Sequence, residues 1–193
     1  MEKPNLNGLN DAEIIKLIVE KNKVDYFEEL YIRYSEKVYR KSYSMTQNEE
    51  DARDLTHDIF IKAFTNLKNF RGDANFSTWI FKITYNECIN FLKSRSRKNT
   101  QSIENENTFF EVPDMSDREI EDRIMYDIKL HKLSELLTKL PPEENALLLM
   151  KYQDDLSIND IATLMEVSSS AVKMRLLRAR NHLYNLFVEQ DTI

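Results

Sequence analysis

Turn-forming residues are scarce: two glycines and four prolines in 193 residues, while Leu, Ile, Lys, Glu and Asn dominate. Little turn chemistry with abundant helix formers predicts an all-α protein. A single cysteine, Cys88, excludes an internal disulfide and a thiolate metal cluster. Long apolar runs are missing as well; stretches such as Ala146 to Met150 are far too short to cross a bilayer, and no apolar signal segment follows the acidic, Asn-rich start. The expectation is a soluble, cytoplasmic chain without membrane insertion. Three scattered histidines and no glycine-rich phosphate loop offer no starting constellation for an enzyme. The formal net charge of -6 argues against general polyanion binding, so any nucleic-acid contact must come from local patches.

Helical periodicity runs from Asp11 to Leu92, with breaks expected near Lys23, at Thr46 to Asn48 and at Asn69 to Asn75, which separate four helices. Between Gln101 and Asp122 the apolar period disappears. Eight carboxylates collect there against a single Arg118, the composition of a linker. Helical pattern returns around Ile120, stops at Pro141 and Pro142, resumes through Tyr152, and ends in two helices joined by a short turn. Pro142 suits a first helical turn, where its missing N–H costs nothing. Two helical modules on an acidic tether result.

The last of these helices holds the one purely basic segment. "SSSAVKMRLLRARNHL", Ser168 to Leu183, contains no acidic residue. After a serine N-cap near Ser168, Val172, Leu176, Ala179, Leu183 and Leu186 form an apolar stripe. Ser169, Ser170, Lys173, Met174 and Arg178 lie away from it; Arg175 and Arg180 flank its edges. Basic residues on first turns oppose the helix dipole, so dipole complementation does not explain them. A short helix, a turn at Met165 to Val167, and a second helix with a polar, basic N-terminal half match a helix-turn-helix that places its second helix in the major groove.

The third helix, Asn48 to Leu67, buries Ala52, Leu55, Ile59, Ala63 and Leu67. Opposite them Asp51, Asp54 and Asp58 share a face with Ile61 and Thr65. An acidic face with an apolar centre reads as a partner surface. Asp54 and His57 have the i, i+3 spacing of bundle di-metal sites, but such a site needs a second copy. His131 and His182 have Ile128 and Ala179 three residues earlier, so no metal or other cofactor is expected. The fourth helix, Phe76 to Lys93, is apolar on two sides. It leaves a narrow seam of Lys82, Asn86, Asn90 and Lys93 with Trp79 at its edge, and runs into Arg95, Arg97 and Lys98. Amides, cations and an aromatic edge suit a nucleic-acid contact. Trp79 itself reads as core.

"LSINDIATLMEVSSSAVKMRLLRARNHL" resembles region four of sigma-70-type factors of the extracytoplasmic-function (ECF) group: an Ile-Ala pair, a turn, and a Val-Lys-x-Arg-Leu-x-Arg-Ala-Arg helix. "EDARDLTHDIFIKAFTNLKNFRGDANFSTWIFKITYNECINFLKSRSRK" resembles region two of the same group. The matches cover nearly all of the chain except the N-terminal tail and the linker. The resemblance implies two small helical domains, a four-helix region-two module at 1–98 and a region-four helix-turn-helix module at 123–193, joined by a flexible acidic linker at 99–122. It implies a transcription initiation factor that catalyses nothing and has core RNA polymerase and promoter DNA as partners. An anti-sigma factor, which the family often has, would clamp between the modules.

In that reading Asp51, Asp54, Leu55, Asp58 and Ile61 grip the clamp coiled coil of the largest polymerase subunit. The loop "NFRGDANFST" and the fourth helix bind the minus-ten element through Arg71, Asp73, Asn75, Phe76, Ser77, Lys82, Asn86, Asn90, Lys93, Arg95 and Arg97. The minus-thirty-five element falls to Ser169, Ser170, Lys173, Met174, Arg175 and Arg178. The chain departs from the family pattern in two places in region four: Glu166 stands where Gly is common in the turn, and Met174 where a small polar residue is usual. Unlike housekeeping members, it has Lys82 and Ile83 in place of an adjacent tryptophan pair, which implies less vigorous strand opening and stricter promoter choice.

Overall fold

The computed structural model describes residues 8–70, 72, 75–99 and 130–191. Arg71, Asp73, the acidic segment 101–122 and the helical return expected around Ile120 lie outside the described residues. Within them the chain is helical, without strands. Its α-helices are α1 (Asp11–Lys21), α2 (Phe27–Thr46), α3 (Glu49–Asn66), α4 (Phe76–Asn99), α5 (Leu130–Lys139), α6 (Pro142–Leu148), α7 (Ile158–Met165) and α8 (Ser169–Asp191). Short 3-10 turns occupy Val24–Tyr26 and Leu67–Asn69.

Contacts gather into two units, residues 1–43 with 48–87, and 44–47 with 88–193. The division falls inside α4, at Cys88, and assigns the last turn of α2 to the second unit.

Local chemistry places the boundaries of the first unit. Asn10 caps α1 by accepting the Glu13 N–H at 3.0 Å while the Glu13 carboxylate accepts the Asn10 N–H at 2.8 Å, a reciprocal capping box. Asn22 ends the helix in the left-handed region, with φ 53. Asn48 caps α3 by accepting the Asp51 N–H at 2.9 Å, and Glu49, Glu50 and Asp51 complement the dipole of its first turn. Leu30, Val38, Ala52, Ile59, Ala63 and Ile80 are sealed from solvent. Their spacing turns one face of each of α2, α3 and α4 inward, where burial of each Leu, Val or Ile side chain contributes about 1.5–3 kcal/mol.

The second unit is built around α8, whose Val172, Leu176, Ala179 and Leu183 form the expected buried stripe. Pro142 opens α6 as anticipated, with Pro141 extended before it. After Leu148 the helix widens into a π turn over Leu149–Gln153, which the sequence pattern did not reveal. Ser157 and Asp160 form a capping box for α7. Glu166 then takes the left-handed conformation, φ 56 and ψ 43, that the family's usual glycine adopts freely. The Val167 N–H reaches back to the Ala162 carbonyl at 3.0 Å, and the Ser168 hydroxyl accepts the Ala171 N–H at 3.2 Å to start α8. The turn is therefore tight despite the missing glycine.

Candidate nucleic-acid and partner interfaces

Because the stripe of α8 is buried, the opposite side of its first four turns is left in solvent. Ser170, Lys173, Met174, Arg175 and Arg178 are exposed there, Met174 by 52 %. Ser169 is half-buried and its hydroxyl donates to Asn159 Oδ1 at 2.8 Å, tying α8 to α7. Arg180 departs from the expected edge position. It is only 5 % exposed and donates from Nη1 to the Tyr152 hydroxyl at 3.2 Å, beside the π turn. Exposed cations, a thioether and a serine hydroxyl on one helix face can hold phosphates and touch base edges.

On α3 the acidic face is present, with Asp54 and Asp58 exposed, Asp51 half-buried and Ile61 51 % exposed. Leu55 does not belong to it. At 6 % exposure it lies on the buried stripe with Ala52 and Ile59, so its role is to hold the helix rather than to touch a partner. Next to Ile61 the surface continues in residues that sequence reasoning missed, Phe64 on α3 and Tyr31 on α2, both well exposed. Phe27 packs edge-on to Phe64 with ring centroids 5.0 Å apart, and Tyr31 lies 4.7 Å from Phe60. An acidic rim beside exposed aromatic rings has the make-up of a protein interface. The missed signal was the Ile61–Phe64 pair at i, i+3, which continues the apolar centre by one turn.

Helix α4 keeps its seam: Asn86 and Asn90 are exposed and Lys82 is half-buried. Lys93 is half-buried and ion-paired with Glu143, while Arg95 and Arg97 are exposed. At the start of the helix Asn75 is exposed, its carbonyl accepting the Trp79 N–H at 3.1 Å, and Ser77 is half-buried. Phe76 is 2 % exposed, which corrects its assignment to DNA. Its ring is enclosed by Tyr34, Phe70 and Trp79, with centroids at 5.3, 6.0 and 5.6 Å, and anchors the loop instead of stacking on a base. Trp79 is half-buried in the same cluster, 5.3 Å from Phe70.

A polar anchor from α1 braces this cluster. The Tyr34 hydroxyl donates to Asp11 Oδ2 at 2.5 Å, and Arg33 donates to the other carboxylate oxygen at 3.0 Å. Burial, and then the bond to Asp11, push the Tyr34 phenol up to about 12. Among the described residues no group of three His, Cys, Asp or Glu side chains is placed to hold a metal ion. No described helix is long and apolar enough to cross a membrane.

Two family models match the chain: Sigma-70 region 2 over residues 30–98, and Sigma-70, region 4 over residues 130–183. The RNA polymerase sigma-H factor of Pseudomonas aeruginosa is 30 % identical over 158 residues, covering 80 % of this chain and 82 % of the relative. The ECF RNA polymerase sigma factor SigW of Bacillus subtilis is 26 % identical, covering 86 % and 90 %. Among solved structures, CnrH in complex with the cytosolic domain of CnrY is similar with a TM-score of 0.60 and 21 % identity over 93 % of this chain and 97 % of that one. RpoE of Bartonella quintana, in complex with the anti-sigma factor NepR, gives 0.58 at 20 % identity over 83 % and 95 %.

Proposed function

The chain belongs to the sigma-70 family as an ECF-type RNA polymerase sigma factor that directs transcription initiation, and from that premise we propose how its surfaces divide the work. The α3 face, Asp51, Asp54, Asp58 and Ile61 extended by Phe64 and Tyr31, docks on the clamp coiled coil of the largest polymerase subunit. The loop ending at Asn75 and Ser77, the α4 seam of Lys82, Asn86, Asn90 and Lys93, and Arg95 and Arg97 beyond it hold the minus-ten element. Exposed Ser170, Lys173, Met174, Arg175 and Arg178 of α8 enter the major groove of the minus-thirty-five element, with Ser169 fixing the helix against α7.

Residues 1–98 act as the polymerase and minus-ten module and 123–193 as the minus-thirty-five module, on the acidic tether 99–122. The factor catalyses nothing itself, acts in the cytoplasm, and is held in check by an anti-sigma factor. The observation that carries the reading is the solvent face of α8: four cations and no carboxylate lie between Ser168 and Leu183 of a chain with net charge -6, three of those cations exposed. Such a local footprint suits DNA bound at one place rather than everywhere.

The test is transcription from fragmented genomic DNA by the purified chain with core RNA polymerase lacking any other sigma factor. Transcripts starting downstream of a shared two-part motif are expected. No transcripts, together with tight duplex binding by the chain alone, would replace the reading with that of a stand-alone repressor or activator.

A further inference from the structure

Met174 is an exposed apolar side chain set among the cations of α8, with 52 % of its surface in solvent. At about 100° per residue it lies about 170° around the helix from the middle of the buried stripe of Val172, Leu176, Ala179 and Leu183. It therefore stands on the crest of the exposed face. Ser170 and Arg178 stand one turn before and one turn after it, close to the same line, and Lys173 and Arg175 stand on the two flanks. A helix seated in the major groove turns its crest to the floor, where base edges lie, and its flanks to the walls, where phosphates lie.

We propose that Met174 reads the C5-methyl group of one thymine in the minus-thirty-five element; this rests on the reading that α8 enters the major groove of that element. A thioether sulfur donates no hydrogen and is only a weak acceptor, so it has little to offer the amino and carbonyl groups that mark the other bases. The thymine methyl is the apolar mark that the major groove displays. An unbranched side chain with three rotatable bonds can settle against it. Cytosine at the same place would set its amino donor against a side chain without a strong acceptor, so the contact also selects against cytosine. The cations beside Met174 serve phosphates and guanine acceptors, and the thioether adds a base that they do not specify.

The experiment uses holoenzyme, the full chain with core polymerase, on promoter duplexes whose minus-thirty-five element is taken from the transcription test. Each thymine of the element, on either strand, is replaced in turn by deoxyuridine, which removes the methyl group and leaves base pairing unchanged. At one position the parent should lose affinity by about fourfold, the factor that burial of one such carbon group corresponds to. Met174→Ser should bind thymine and deoxyuridine alike at that position, Met174→Leu should keep the difference, and neither should change the salt slope, because no phosphate contact is removed. The proposal is overturned if no thymine methyl in the element affects binding, or if the difference persists in Met174→Ser. Lys173→Ala combined with Arg178→Ala separates the two levels. If that pair lowers the salt slope while Met174→Ser leaves the methyl dependence intact, only the assignment of Met174 fails. Should the pair also leave affinity and slope unchanged, the major-groove reading of α8 falls and takes the methyl contact with it.

Discussion

Glu166 sits where the backbone asks for glycine, and replacing it should stabilise the C-terminal helical module. Its φ of 56 and ψ of 43 lie in the left-handed region, which costs a residue with a Cβ about 1–2 kcal/mol. Glycine removes that cost but gives back about 0.5–1 kcal/mol through the greater freedom of the unfolded chain. The net gain for Glu166→Gly is about 0.5–1 kcal/mol. In a module of this size that corresponds to roughly 2–8 °C in the midpoint of thermal unfolding. The protein supplies its own control, because its single tryptophan, Trp79, lies in the first unit. Far-ultraviolet circular dichroism follows both units, whereas Trp79 fluorescence follows the first. The variant should raise the dichroism transition assigned to the C-terminal helices and leave the fluorescence transition where it was. The Val167 to Ala162 hydrogen bond that closes the turn is a backbone bond and survives the change, so the angle between α7 and α8 should be kept and upstream-element affinity with it. A variant less stable than the parent would refute the reasoning, since it would mean that contacts of the Glu166 side chain outweigh the backbone strain.

Three other outcomes are expected. Asp54→Arg should weaken core-polymerase binding by about tenfold or more, since like-charge juxtaposition at an interface costs several kcal/mol, and should leave upstream-element binding by α8 unchanged; equal polymerase affinity in a titration would remove Asp54 from the docking face. Lys173→Ala with Arg178→Ala should lower the salt slope of duplex binding by about 1.8 if each cation neutralises one phosphate, and an unchanged slope would show that neither does. Tyr34 is held neutral in the folded chain, its phenol pushed up to about 12 from 10.0 by burial and the bond to Asp11. The stability linked to it is therefore complete below pH 10 and is lost as pH rises toward 12. Tyr34→Phe should remove that part of the alkaline dependence in pH-resolved unfolding of the first unit, and a dependence that persists would assign it elsewhere.

What was legible in the sequence is what local rules determine. The breaks near Lys23, Thr46 to Asn48 and Asn69 to Asn75 follow from caps and lost periodicity, and the stripe Val172–Leu176–Ala179–Leu183 from helical spacing. The misreadings have two causes. The fourth helix begins at Phe76 in the sequence reading, and only the resemblance puts that residue on the minus-ten element, whereas Tyr34 and Phe70 enclose it. In the other case, a residue at the edge of a periodic pattern takes its side from partners distant in sequence. Arg180 reads as an edge cation, but Tyr152, 28 residues earlier, draws it inward. Leu55 is the reverse case: the period of α3 already placed it on the buried stripe, and only the resemblance put it on the docking face. Phe64 and Tyr31 have no place in the sequence reading of the acidic face. Their exposure becomes visible only once α2 and α3 are packed.

The charge arrangement explains why such a factor can afford only small footprints. A strongly basic surface would bind any DNA through counterion release, and competing sites in a genome are numerous enough to absorb the protein. With cations gathered on the solvent face of α8 and at the end of α4 of a chain of net charge -6, the proposed contacts give each module a small footprint and so weak binding by itself. Selectivity then has to come from using both modules at once. When polymerase holds the two at a fixed separation, the second contact becomes intramolecular, and avidity can exceed either affinity by about 10²–10⁴ without any new contact. That gain exists only for DNA carrying both elements at the matching spacing, so the acidic balance of the chain and the docking face proposed on α3 serve the same end. One suppresses binding to everything else, and the other makes the two-point site strong.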